Sequence, residues 1–274
     1  MTLLQSIILG IIQGLTEFIP VSSSAHLVLT PYLLNWHIPA QEAFIFDILV
    51  QLGTLLAVIL YFRKDLYTII VGVITGIIRK QPLTEPSSRL GWMIILATIP
   101  AVIAGLLFKE PVERVFANPL ATGILLFGTS ILLLIAEFVG QRIRRLENIS
   151  WVDALIIGLF QVISLLPGIS RSGSTISGGM IRNLERPAAA RFSFLMSIPV
   201  MMGAGTLALI DLTKVPNFSI HIPNLIAGFI TSAVVGYLAI RWLIGFLVSR
   251  KLIPFAIYCA VVSALVILVS LSYS

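Results

Sequence analysis

Six stretches of this chain, at 46–62, 90–108, 119–139, 192–213, 223–247 and 253–272, each run for roughly twenty residues with almost no charge. A hydrocarbon core about 30 Å thick is crossed by about 20 apolar residues in a helix, so each stretch is long enough to span a bilayer. The first is the shortest and is open to an earlier start. Composition agrees: of 274 residues, 18 are Lys or Arg and 12 are Asp or Glu, 11% together, while 58% are apolar. The mean hydropathy is +1.03. An ordinary soluble domain carries roughly 25% charge, and a water-soluble surface for a chain of this length cannot be assembled from so little. A soluble enzyme, a disordered chain and a disulfide scaffold are thereby excluded. The expectation is a single membrane domain over residues 1–274, all-α, with six transmembrane helices.

Other signals are weaker. The net charge of +6 is no sign of nucleic acid, because the basic residues stand in short clusters between apolar runs, as membrane orientation requires. Cys259 is alone and can form no internal disulfide. His26, His37 and His221 lack zinc-site spacing. Residues 3–19 are apolar like a signal peptide but lack a basic n-region and carry Gln13 and Glu17, which argues against cleavage. Residues 66–78 are too short to cross and read as an interfacial helix packed through Gly72 and Gly76. Glu137, Asp211 and Arg241 fall near span ends, within reach of headgroups.

Two further apolar segments are broken. Residues 3–19 stop at Pro20, pass through Ser22, Ser23 and Ser24, and resume to about Leu34. Residues 152–166 stop at Pro167-Gly168, pass through Ser170, Arg171 and Ser172, and resume to about Asn183. Arms this short, about 18–25 Å at 1.5 Å per residue, enter a membrane part-way and return. Both read as re-entrant helical hairpins, tolerated where the bent backbone faces protein or a wet cavity. At an offset of 148, Gly10, Gln13, Ser22 and Ser24 match Gly158, Gln161, Ser170 and Ser172, and Thr16 faces Ser164. Each hairpin precedes three spans, giving repeat halves of approximately 1–147 and 148–274. With the first span running inward, fourteen Lys and Arg fall in inside segments, against Lys109, Arg114 and Lys214 outside, and Arg171 completes the set. That asymmetry puts both termini outside. The hairpins then enter from opposite faces, as an inverted-topology repeat whose tips meet near the midplane.

Each tip restarts with serines, preferred N-cap residues, so free N–H groups and a positive helix end point inward, where phosphate is a common guest. Arg171 is costly in hydrocarbon unless paired, and its planar fork suits phosphate oxygens. The plainer alternative is that Ser170 and Ser172 only cap and that Arg171 pairs with Glu17 as structural glue. Glu17 lies one turn after Gln13, on one helix face. A buried carboxylate beside phosphate calls for a divalent cation such as Mg²⁺ or Ca²⁺ with oxygen ligands, or acts as a general base; a tie to a backbone N–H is the bland alternative. Ser23 and His26, three residues apart, could serve as nucleophile and base, although a lone membrane His is often only hydrogen-bonded. Gly203, Gly205 and Ala208 mimic a dinucleotide fingerprint inside a span with no preceding strand, and the match is dismissed. Asp47 and Gln51, one turn apart at the mouth of the first span, could reach the site or could equally be interfacial; the interfacial reading is preferred for Asp47.

The run QGLTEFIPVSSSAH (Gln13–His26) together with PGISRSGST (Pro167–Thr175) resembles the undecaprenyl-diphosphate phosphatase family, of the bacitracin-resistance type, over essentially the whole chain. The resemblance implies an integral phosphatase of the bacterial inner membrane. Such an enzyme hydrolyses an isoprenyl diphosphate lipid carrier to its monophosphate and inorganic phosphate, with a divalent cation, recycling the carrier for cell-wall synthesis at the outer face. By resemblance, Glu17 matches a motif glutamate and metal ligand, and Gln13 stands where Glu or Gln occurs. Ser22, Ser23, Ser24 and His26 match the serine-rich loop, and Arg171 with Ser170, Ser172 and Thr175 the phosphate-binding loop. Two departures stand out: Ala25 occupies a position where glycine is commoner, and Gln13 brings no charge, leaving Glu17 as the sole carboxylate on that helix. The preferred mechanism has Ser23 attacking with His26 relaying protons, the alternatives being attack by His26 or by metal-bound water. A transporter or flippase of a lipid phosphate is the competing function, since broken midplane helices are transporter architecture. A lipid-binding scaffold leaves the intramembrane Glu, His and Arg unexplained. Oligomeric state is open, a homo-oligomer included.

Overall fold

The computed structural model describes residues 1–108, 115, 118–212 and 222–272. Lys109, Arg114, Lys214 and His221, and the side chain of Asp211, lie outside the described residues. Among the described residues there are eleven α-helices and no strand: α1 Leu3–Phe18, α2 Ser23–Leu33, α3 Ala40–Tyr61, α4 Arg63–Ile78, α5 Pro86–Leu107, α6 Pro119–Val139, α7 Trp151–Ile163, α8 Arg171–Ile181, α9 Arg186–Leu212, α10 Ile222–Ser249 and α11 Ile253–Ser272. Six of them, α3, α5, α6, α9, α10 and α11, are long and apolar enough to cross a membrane. They coincide with the six apolar stretches but α3, α5 and α9 begin several residues earlier. Their first turns hold Glu42, Arg89 and Arg186, polar residues that an apolar count leaves out.

Local chemistry places the breaks. A capping box opens α1: Gln5 N–H donates to Thr2 Oγ1 at 3.2 Å, and Thr2 N–H donates to Gln5 Oε1 at 2.8 Å. Helix α1 stops because Pro20 forces Ile19 into extended backbone, at ψ 134°. A second capping box, Ser150 with Asp153, opens α7. Beyond it Gly168 turns the chain at φ +100°, a conformation that costs glycine little. The two helix–break–helix pairs agree in detail. Ser22 and Ser170 N-cap α2 and α8, and each hydroxyl lies 3.2 Å from that of the serine two residues on, Ser24 or Ser172. Thr16 and Ser164 both hydrogen-bond backward to backbone carbonyls, of Ile12 and Gln161.

Packing crosses between the halves. Helix α1 lies along α10, and α7 lies along α5. The matched glycines make both crossings: a Cβ at Gly10 would sit 2.9 Å from the Gly228 carbonyl oxygen, and one at Gly158 2.5 Å from that of Ala97. Helices α6 and α11 pair through Ser130 donating to Ala256 O and Ser263 donating to Gly123 O, each at 2.7 Å. This exchange of partners is compatible with an inverted repeat. Phe18, the last residue of α1, is fully buried and meets Phe194 of α9 edge-on, with centroids 5.3 Å apart. That contact anchors the first tip in the core.

Helix α4 packs on α5 through Gly72 and Gly76, whose missing side chains admit Ser87 and Ser88. Six of the basic residues assigned to the inside bond to carboxylates or carbonyls at helix ends. Buried Asp153 accepts from Arg144 and Arg182, both at 2.7 Å, and from Ser150. Buried Glu137 accepts from Arg142, Arg186 and the Leu252 N–H. Arg89 donates to the Ile149 carbonyl at 2.8 Å, and Arg191 pairs with Asp65 at 3.1 Å. These bonds tie the ends of seven helices, α4 to α9 and α11, into one charged layer.

Candidate active site

Glu17 is the centre of the site. It occupies the last turn of α1, where Phe18 fixes the helix end, and is 8% exposed. Arg171, the first residue of α8, donates from Nη2 to Glu17 Oε1 at 2.6 Å. The other carboxylate oxygen, Oε2, accepts from Ser23 Oγ at 2.7 Å and from Gln13 Nε2 at 3.1 Å. The two tips therefore meet, and the Ser172 hydroxyl reinforces the contact by donating to the Ile19 carbonyl at 3.3 Å. Ion-pairing of Arg171 with Glu17, the plainer alternative in the sequence, is what the resting geometry contains. Short, charge-assisted bonds of this kind are strong where water is sparse.

His26 faces elsewhere. Its Nδ1 lies 2.7 Å from the Ser22 carbonyl oxygen and its Nε2 lies 2.8 Å from the Tyr258 hydroxyl. Ser23 and His26 share a helix face by spacing, yet the hydroxyl of Ser23 bonds to Glu17, so the base beside Ser23 is the carboxylate. The remaining residues divide in two. Gln13, Glu17, Ser23 and Ser24 line a cavity of about 180 Å³, closed by Leu27 and Val28 and, from α3, by Asp47 and Gln51. Ser22, Ser170, Ser172 and Thr175 are buried and hold backbone. Ser170 Oγ accepts from the Gly173 N–H, and Thr175 Oγ1 donates to the Arg171 carbonyl and meets Ser193. Ser170, Ser172 and Thr175 shape the loop that carries Arg171, Ser22 the one that carries Ser23, and none of the four lines the cavity.

Asp47 and Gln51 both wall the same cavity as Glu17, so the structure favours reach to the site over the interfacial placement preferred for Asp47. Sequence alone does not single out Thr54, which accepts from Gln13 Nε2 at 3.4 Å, or Thr129, which accepts from the Ser170 N–H at 2.8 Å and donates to the Gly168 carbonyl. Nor does it single out Tyr258. The one signal available for Thr54 was a polar residue one turn after Gln51 in an apolar span.

Among the described residues no cluster of three or more His, Cys, Asp or Glu is present. The donor set still suits a hard cation. Gln13 Oε1 is buried without a hydrogen-bond partner, and Glu17, Asp47, Gln51 and Ser23 present only oxygen or amide ligands to the same cavity, the chemistry that Mg²⁺ and Ca²⁺ prefer. A second cavity of about 190 Å³ shares Leu27, Val28 and Asp47 with the first and is otherwise mostly apolar, with Leu9, Pro31, Trp36 and Phe46.

Comparison with known proteins identifies relatives over nearly the whole chain. The undecaprenyl-diphosphatase of Chlorobium phaeovibrioides is 43% identical over 279 residues, covering 98% of this chain and 97% of that protein. Those of Chlorobaculum tepidum and Moorella thermoacetica are 44% and 40% identical, covering 90% and 98% of this chain and 89% and 98% of their own. The family described as bacitracin resistance protein BacA matches residues 6–265, and the chain belongs to that family.

Proposed function

We propose that this protein hydrolyses undecaprenyl diphosphate to undecaprenyl phosphate and inorganic phosphate in the bacterial inner membrane, with both termini outside. The observation that carries the reading is Glu17, bonded at once to Arg171 and to the Ser23 hydroxyl at 2.6 and 2.7 Å. A carboxylate next to a hydroxyl activates it, and a guanidinium fork next to that carboxylate binds phosphate. Naming of the relatives as undecaprenyl-diphosphatases supports the same substrate.

The terminal phosphate takes Arg171 from Glu17. Ser23 Oγ then attacks that phosphorus, Glu17 takes the hydroxyl proton, and the bond to the bridging oxygen breaks, releasing the lipid monophosphate. Glu17 passes that proton to the departing lipid monophosphate and, again a carboxylate, takes one from the water that attacks the phosphoserine. This proton goes to the Ser23 oxygen as its bond to phosphorus breaks, freeing inorganic phosphate. Glu17, Gln13 Oε1, Asp47 and Gln51 would hold Mg²⁺ or Ca²⁺, which supplies positive charge against the phosphate oxygens. Arg171 and the N–H groups at the start of α8 orient the diphosphate.

The test is phosphate release from undecaprenyl diphosphate by purified protein in detergent, with and without a chelator. Detergent abolishes compartments, so a pure carrier releases nothing while a phosphatase does. Glu17→Ala, Arg171→Ala and Ser23→Ala are expected to abolish release in a folded protein, and chelation to suppress it in the wild type. Near-normal turnover in the Glu17 or Arg171 variant overturns the assignment.

A further inference from the structure

The geometry points to Tyr258, on the last span, as a positioning residue for His26; we infer that its hydroxyl anchors Nε2 of an imidazole whose proton the Ser22 carbonyl holds on Nδ1. This rests on the proposed phosphatase reading, in which Ser23 attacks, and gives His26 the part of holding the Ser23 backbone. A carbonyl oxygen only accepts, so the 2.7 Å contact with Ser22 O assigns the proton to Nδ1. The lone pair of Nε2 then accepts from the Tyr258 hydroxyl at 2.8 Å. The two rings are nearly parallel, at 9°, with centroids 5.6 Å apart.

What His26 does with this proton follows. Its Nδ1–H braces the carbonyl of Ser22, a non-glycine residue held at φ +70°, where an L side chain is strained. Ser22 caps α2, and Ser23 projects from the next position. The chain Tyr258–His26–Ser22 thus holds the backbone that aims Ser23 at Glu17, and His26 acts through position, its Nε2 being turned from Ser23. Tyr258 is itself placed from two sides. Ser130 of α6 donates to the Ala256 carbonyl at 2.7 Å, and the Cys259 thiol reaches the Pro20 carbonyl at 3.8 Å. The phenol is 44% exposed, so Tyr258→Phe removes one oxygen and opens no core cavity.

The experiment uses full-length protein in detergent, labelled with ¹⁵N-histidine. The chain has 3 histidines, and His26→Gln assigns the His26 signals. In Tyr258→Phe the Nε2 resonance of His26 should move toward the value of an unbonded nitrogen. At the same time kcat for phosphate release should fall about five- to tenfold, as for the loss of one hydrogen bond, with KM within about twofold. Ser263→Ala, which loosens α6 from α11 away from the site, serves as control and should leave the His26 spectrum unchanged. An unchanged His26 spectrum in Tyr258→Phe overturns the inference. So does an unchanged kcat in Tyr258→Phe when His26→Gln has lost turnover. Full turnover in His26→Gln instead overturns the placement of His26 in the machinery.

Discussion

Glu17 and Arg171 stand 154 positions apart and meet at 2.6 Å. Their side chains are 7% and 17% exposed, so each charge depends on the other: removing one partner of a buried pair leaves the second uncompensated, at a cost of about 3 kcal/mol. Glu17→Gln and Arg171→Gln should each lower stability by about that amount, and the double variant by clearly less than the sum. Thermal unfolding in detergent measures this, and simple additivity would show that the pair is not coupled. Both residues were legible in the sequence because a charge in an apolar segment is expensive and calls for a reason. Tyr258 and Thr54 were not, since a hydroxyl in a span is cheap and its partner lies on another helix. Spacing puts Ser23 and His26 on one face, whereas in the structure Ser22 and Tyr258 hold both ring nitrogens, partners that spacing along one helix does not disclose.

At the scale of the element, the hairpins are placed by glycines as much as by their breaks. A Cβ at Gly158 would stand 2.5 Å from the Ala97 carbonyl oxygen, a backbone atom that cannot turn aside. Gly158→Ala must therefore push α7 off α5, and overpacking of this sort costs about 1–3 kcal/mol. The expected result is a lowered melting temperature in detergent, while Gly245→Ala, which meets open space, changes it little. Equal melting of the two variants would remove the close crossing from the account. Six spans and two breaks could be read from apolar length and from Pro20 and Pro167-Gly168, because both signals are local. Which helix each arm packs on could not, since a glycine announces a close approach without naming its partner.

For the whole molecule, the charged layer built on Glu137 and Asp153 gathers helix ends at one face, as an inside face rich in Lys and Arg should. In a Cys259→Ala background, a membrane-impermeant thiol reagent added to intact cells should label Trp36→Cys and spare Glu147→Cys and Lys251→Cys. The reverse pattern would invert the orientation. The Glu17–Arg171 bond also has a consequence for selectivity. A bilayer presents phosphodiester headgroups in great excess over any carrier lipid, and each of those bears a single negative charge. With a carboxylate already seated on Arg171, a newcomer must outcompete it. A singly charged diester gains nothing by the exchange, whereas a terminal phosphate with two charges does. On the proposed function, the resting contact would set a threshold at Arg171 against the headgroups of the lipid in which the protein is dissolved.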